Sequence, residues 1–140
     1  MFYKPENFEL YELLPKWHWQ CWHKYPEAWL IWPAQVLWQL QALRSRYGPV
    51  IVNNWYQGGD LQYCGYRPLN CKVGAKFSLH KWGLAFDMHF LHTETEEVRQ
   101  DILKNQDAEW CAYINAVEMG TPHLHWDMRN TTKRILEIKG

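Results

Sequence analysis

Asp87 and His89 alternate in one segment of the chain, and His123, His125, Asp127 and Arg129 alternate in another. Imidazole nitrogen and carboxylate oxygen are donors that a divalent ion such as zinc accepts. A catalytic zinc site uses three of them and keeps a fourth position open. His80 lies a short way upstream and, with Asp87 and one histidine of the His123-x-His125 pair, completes that count. Each residue alone has an ordinary explanation, as a surface imidazole or a turn-capping carboxylate. Their grouping on two short alternating segments is what points to coordination chemistry.

Both segments must be strands for these side chains to converge. In Gly83-Leu84-Ala85-Phe86-Asp87-Met88-His89-Phe90, alternate side chains leave opposite faces, so Leu84, Phe86, Met88 and Phe90 face a core while Asp87 and His89 share the other side. His123-Leu124-His125-Trp126-Asp127-Met128-Arg129 repeats the pattern, which predicts a half-buried strand. Upstream, Val36, Leu40, Leu43 and Tyr47 recur at helical spacing between Pro33 and Gly48-Pro49, a start and a stop for a helix over 33–47. Pro49 to Asn53 reads as a short buried strand, Gly58-Gly59-Asp60 as a loop, and Gly65 to Lys76 as irregular structure with one helical turn. Thr93 and Glu96 form a capping-box pattern ahead of Val98, Ile102 and Leu103, and a further helix is predicted over Ala108 to Val117. The first thirty residues mix aromatics and prolines without a clean period, which predicts short turns and helical pieces over the core.

With 140 residues the chain suits one hydrophobic core, so a single domain over 1–140 is expected, with 1–32 as its aromatic-rich N-terminal extension. Lys plus Arg equals Asp plus Glu at 15 each, and this neutrality argues against nucleic acid or anionic lipid as a partner. The start, Met1-Phe2-Tyr3-Lys4-Pro5, lacks the layout of a secretory signal, and no apolar run reaches membrane-spanning length. A soluble protein, cytoplasmic when made and not inserted in a membrane, is expected, with a monomer as the default. Cys21, Cys64, Cys71 and Cys111 form no Cys-x-x-Cys pair, so free thiols are expected. The 10 tryptophans suit a core or a ligand groove equally.

Ser78-Leu79-His80-Lys81-Trp82-Gly83-Leu84-Ala85-Phe86-Asp87 fits the pattern S-x-H-x-x-G-x-A-x-D, and His123-x-His125 follows on another strand. This resembles the zinc D-Ala-D-Ala carboxypeptidase group, whose superfamily includes hedgehog signalling domains and phage endolysins. Asn53-Asn54-Trp55, Gly65-Tyr66-Arg67-Pro68-Leu69-Asn70 and Val73-Gly74-Ala75 extend the likeness, which spans about Val36 to Arg129. The resemblance implies an α+β fold with a small antiparallel sheet carrying the zinc site and several helices packed on one side. It implies a zinc metallopeptidase acting on peptidoglycan peptides, with a phage-encoded lytic enzyme as one setting.

By matching position, the resemblance assigns the metal to His80, Asp87 and His125. His125 opens His125-Trp126-Asp127-Met128-Arg129, which is similar to the family's closing segment. His123 then stands beside the metal as a hydrogen-bond donor or proton carrier. Glu118 is the preferred general base, because hedgehog-like members carry an acid a few positions before the His-x-His pair. Many members instead carry an acid three residues before the last ligand, where this chain has Pro122, so Glu118 and His123 both stand as candidates. Arg67 matches an arginine suited to a substrate carboxylate, and Ser78 either bonds substrate or shapes its turn. Asp127 and Arg129 are candidates to orient His125 from behind. His18, His23, His89 and His92 have no motif support. A rival expectation is a non-catalytic domain on the same fold that keeps zinc for structure.

Overall fold

The computed structural model describes residues 2–140. Its helices are α1 (Lys16–Trp22), α2 (Ala34–Tyr47) and α3 (Thr95–Lys104), and its strands are β1 (Val50–Ile51), β2 (Ala85–Phe90), β3 (Ala116–Met119), β4 (Leu124–Asp127) and β5 (Leu136–Lys139). Short 3-10 turns fill the joins, and two of them, Leu10–Glu12 and Pro26–Ile31, make up most of the aromatic N-terminal segment together with α1. The strands form one sheet in the order β1-β2-β4-β3-β5. The expected α+β class therefore holds. The sheet is mixed rather than antiparallel throughout, because β3 and β5 run parallel.

Register decides what the sheet presents. Asp87 sits directly opposite His125, Phe86 opposite Trp126, and Met88 opposite Leu124. Ala116 and Val117 of β3 face Asp127 and Trp126. With side chains alternating, one face carries Asp87, His125, Asp127 and Glu118, and the other carries Phe86, Met88, Val117, Leu124 and Trp126. The second face is fully buried and joins Leu37, Leu40 and Leu43 of α2 and Val98 and Ile102 of α3 in one core. Phe8, Leu13, Leu14, Trp29 and Trp32 enter the same core, so the N-terminal segment is part of its packing.

Trp126 anchors the apolar face between the two polar residues that flank it in sequence. Its ring lies 5.9 Å from that of Phe86, and its indole N–H donates to Met88 Sδ at 3.2 Å. Trp126→Ala is expected to lower unfolding free energy by about 3–5 kcal/mol through lost burial and a residual cavity. Urea denaturation would measure it, and a change below about 1 kcal/mol would contradict this packing role.

Two local expectations are corrected. The segment 108–117 is not a helix but a 3-10 turn, Glu109–Cys111, leading into β3. Buried Gln39 on α2 captures that turn by donating to the Trp110 carbonyl at 2.7 Å and accepting from the Tyr113 N–H at 3.0 Å. Asn115 N–H then bonds the Asp127 carbonyl at 2.8 Å and starts strand pairing. Strand partners outweigh the local helical pattern. The capping box before α3 is also absent, since the N-cap is Glu94 with no side-chain cap. Thr93 donates its hydroxyl to the Tyr47 carbonyl at 3.4 Å, and Glu96 pairs with Arg99, so both members are engaged elsewhere.

Candidate metal centre

His80 comes from a 3-10 turn, Leu79–Trp82, that precedes β2. Ser78 caps this turn by accepting the His80 backbone N–H, and Gly83 ends it with φ +71, a left-handed value that suits glycine. The His80 ring is thereby turned inward, 2% exposed, over the polar face of the sheet. His80, Asp87 and His125 are all buried and offer three donor atoms within 4.8 Å of one another.

The tautomers are legible from the hydrogen bonds. His80 Nδ1 lies 2.9 Å from the Gly65 carbonyl, which accepts only, so Nδ1 carries the proton. Nε2 is left with a lone pair, buried and without a hydrogen-bond partner, 3.2 Å from Asp87 Oδ1. Two acceptors facing each other in a buried site need a cation between them. His125 stands on the other side, with Nε2 2.9 Å from Asp127 Oδ2 and Nδ1 2.9 Å from Asp87 Oδ1. Donor atoms each 2.0–2.1 Å from a tetrahedral ion are about 3.3 Å apart, close to these spacings. The donor set of two imidazoles and a carboxylate thus fits a metal ion, with Asp127 behind His125 and the Gly65 carbonyl behind His80 as orienting acceptors.

Electrostatics agree. Burial lowers the pKa of His80, favouring the neutral ligand form. Burial pushes the Asp87 carboxyl up, but the neighbouring imidazoles of His125 and His80 together outweigh it and hold the group far below the ordinary carboxylate range. Asp127 is likewise held low against its burial by Arg129, which donates from Nε at 2.8 Å and from Nη2 at 2.7 Å, and by His125. For His125 itself, burial is overcome by the two carboxylates, and its pKa rises from 6.5 to about 9. Without metal, this imidazole is a cation bridging Asp127 and Asp87.

That shift has a pH consequence for the metal-free protein. The folded pKa lies above the unfolded one, so the protonated bridge stabilises fully below pH 6.5 and is lost as pH rises through about 9. Chelator-treated protein is expected to lose on the order of 3 kcal/mol across that window, measured as falling Tm. Metal-loaded protein, whose His125 Nδ1 is already deprotonated, is expected to show a flatter profile. Equal slopes in both forms would contradict the bridge.

The remaining expected residues converge on the same cleft. It measures about 750 Å³ and is lined by Arg67, Ser78, His80, Asp87, Glu118, His123, His125 and Arg129, among others. Glu118 Oε2 lies 4.0 Å from His125 Nδ1, and His123 Nε2 lies 3.8 Å from Asp87 Oδ1. Arg67 is nearly buried. Its Nε donates to the Tyr63 carbonyl at 2.7 Å, Nη1 to Ser78 Oγ at 3.4 Å and the Val73 carbonyl at 3.5 Å, and Nη2 to Asp87 Oδ2 at 3.3 Å. Four of five guanidinium protons are so engaged, leaving one for the cleft.

His89 shares the ligand face but stands outside the metal cluster, its ring 5.7 Å from that of His123 and its Nε2 3.9 Å from Cys64 Sγ. All four cysteines are free thiols, and burial pushes Cys64 up to about 12, which keeps it protonated. His18, His23 and His92 are absent from the cleft lining.

Sequence reasoning missed three contributors. Phe77 and Ile138 add apolar wall to the cleft; the alternation in Leu136-Glu137-Ile138-Lys139 was the available signal for β5. Arg99, 1% exposed on α3, clamps the turn before β4 by donating from Nη2 to the carbonyls of Thr121 at 2.9 Å and His123 at 3.1 Å. Nothing in the local pattern marks that arginine as buried. Among the described residues, no helix is long and apolar enough to cross a membrane. Comparison with protein-family models, curated proteins and solved structures finds no match to this chain.

Proposed function

We propose that the chain is a zinc-dependent peptidase that hydrolyses peptide bonds of bacterial peptidoglycan, of the carboxypeptidase or endopeptidase type. The observation that carries this reading is the buried lone pair of His80 facing Asp87 and His125, with the Glu118 carboxylate 4.0 Å from His125 at the open side of the same cleft. The S-x-H-x-x-G-x-A-x-D segment and its downstream His-x-His pair support the substrate class by resemblance.

Zinc held by His80, Asp87 and His125 would polarise the scissile carbonyl and acidify a water molecule. Glu118 is the general base in this reading, taking a proton from the attacking water and passing it to the leaving amine. Its partial exposure on β3 suits that traffic, since the carboxylate can reach both the attacking water and the leaving amine from the cleft. His123, partly exposed beside Asp87, donates a hydrogen bond to the carbonyl oxygen as charge develops there. The free Arg67 proton and the Ser78 hydroxyl receive a substrate carboxylate or carbonyl, while Phe77, Leu79 and Ile138 shelter small apolar side chains.

Digestion of peptidoglycans of defined composition, with products identified by mass, tests the proposal. Cleavage at one class of stem or crossbridge bond, stopped by a chelator and restored by zinc, is the expected result. Stoichiometric zinc with no product from any wall type would place the chain instead among non-catalytic zinc-containing domains.

A further inference from the structure

Another cavity, of about 370 Å³, shares Gly74 with the metal cleft and is lined by residues on either side of it in the same loop. Asn70, Lys72, Gly74, Lys76 and Lys81 are in its lining, and no carboxylate is. Lys81 follows His80 in the same 3-10 turn, so the two neighbours serve different cavities, His80 the metal cleft and Lys81 this one.

Lys81 is 7% exposed, and its ammonium has a single hydrogen-bond partner, the Lys76 carbonyl at 3.1 Å. An ammonium has three donors, and a lysine whose side chain is this largely covered ordinarily has its charge paired with an opposite one. Lys81 takes part in no ion pair among the described residues. Lys72 and Lys76 are exposed and contribute positive charge at the rim. Gly74, with φ +76, makes the turn between them, and Arg67 Nη1 occupies the space where a Cβ on Gly74 would lie. The loop is thus pinned on one side by Arg67 and on the other by the Lys81 to Lys76 bond.

We infer that this cavity is an anion-binding subsite that takes a carboxylate or phosphate group on Lys81, with Lys72 and Lys76 at its rim. Such a group supplies the acceptors that the Lys81 ammonium lacks. Because Gly74 lines both cavities, an anion bound here also steadies the loop that supplies Ala75, Phe77 and Ser78 to the metal cleft. The inference stands on this geometry and is independent of the peptidase reading.

Titration of the full chain with inorganic phosphate and, separately, acetate, at ionic strength held constant with sodium chloride, tests it by amide chemical shifts. Saturable shifts at Lys72, Gly74, Lys76 and Lys81, with Glu118 and His125 unmoved, are expected, and the anion that saturates at lower concentration identifies the ligand class. Lys81→Met is expected to weaken binding about tenfold or more, the loss of a charge-assisted hydrogen bond. Should that variant fail to fold, Lys72→Gln with Lys76→Gln, both exposed, is expected to weaken binding about two- to fivefold. Shifts that do not saturate for either anion, shifts centred on Glu118 and His125, or variants that bind as tightly as the parent would overturn the inference.

Discussion

Glu118→Gln is expected to keep a full complement of zinc and the parent's stability while peptide hydrolysis falls by about 10²–10⁴-fold. The substitution keeps the size of the side chain and removes only its basicity. Glu118 is not among the buried donors, and its carboxylate lies 4.0 Å from His125 Nδ1, near the metal position without closing it. Zinc content and single-turnover cleavage on one preparation measure both halves of this statement. His123→Ala is expected to cost less, about 10–100-fold, as the loss of one donor to the developing charge. If Glu118→Gln retained activity and His123→Ala lost it, the base would be His123, the alternative that the sequence leaves open.

Asp87→Asn is expected to have the second large effect, on metal affinity and on folding together. Asp87 is the hub of the centre: Oδ1 faces His80, His125 and His123, while Oδ2 accepts from Arg67 Nη2 at 3.3 Å. An amide at this place removes the only negative charge among the three proposed ligands and leaves the Arg67 guanidinium buried without its carboxylate. Breaking a buried pair in this way costs about 3–5 kcal/mol. Zinc affinity should fall by more than the roughly 10–100-fold expected for losing a group that only orients a ligand from behind. Denaturant unfolding of metal-free protein gives the first value and competition with a chromophoric chelator the second. A variant that kept parental zinc affinity would remove Asp87 from the ligand set.

The part of this site legible in sequence is the part built from strict alternation. Asp87 and His125 sit on short strands whose apolar partners, Phe86, Met88, Leu124 and Trp126, report the buried face directly, and strand register then sets the two ligands opposite each other. Glu118 is reached by resemblance, while the stretch just before it, 108–117, reads as helix and folds as a turn and a strand. Only four residues of β3 are paired, too few to show a period against the helical pattern of the preceding stretch, and Gln39, remote in sequence, is what holds that stretch as a turn. Asp127 and Arg129 are ambiguous in sequence alone, because an exposed ion pair and an orienting carboxylate look alike in one dimension. The burial of Asp127, with both oxygens engaged, separates them. Arg67 shows the converse, since its residue type suggests a substrate grip and its position reveals most of its donors committed to Asp87 and the surrounding loop.

Metal analysis after equilibrium dialysis against zinc at pH 7.5 tests the centre most directly, with the parent chain and a His80→Ala, His125→Ala variant side by side. The proposed centre of His80 Nε2, Asp87 Oδ1 and His125 Nδ1 predicts one zinc retained per parent chain and none by the double variant. Equal zinc in the two proteins, or none in the parent, would contradict it.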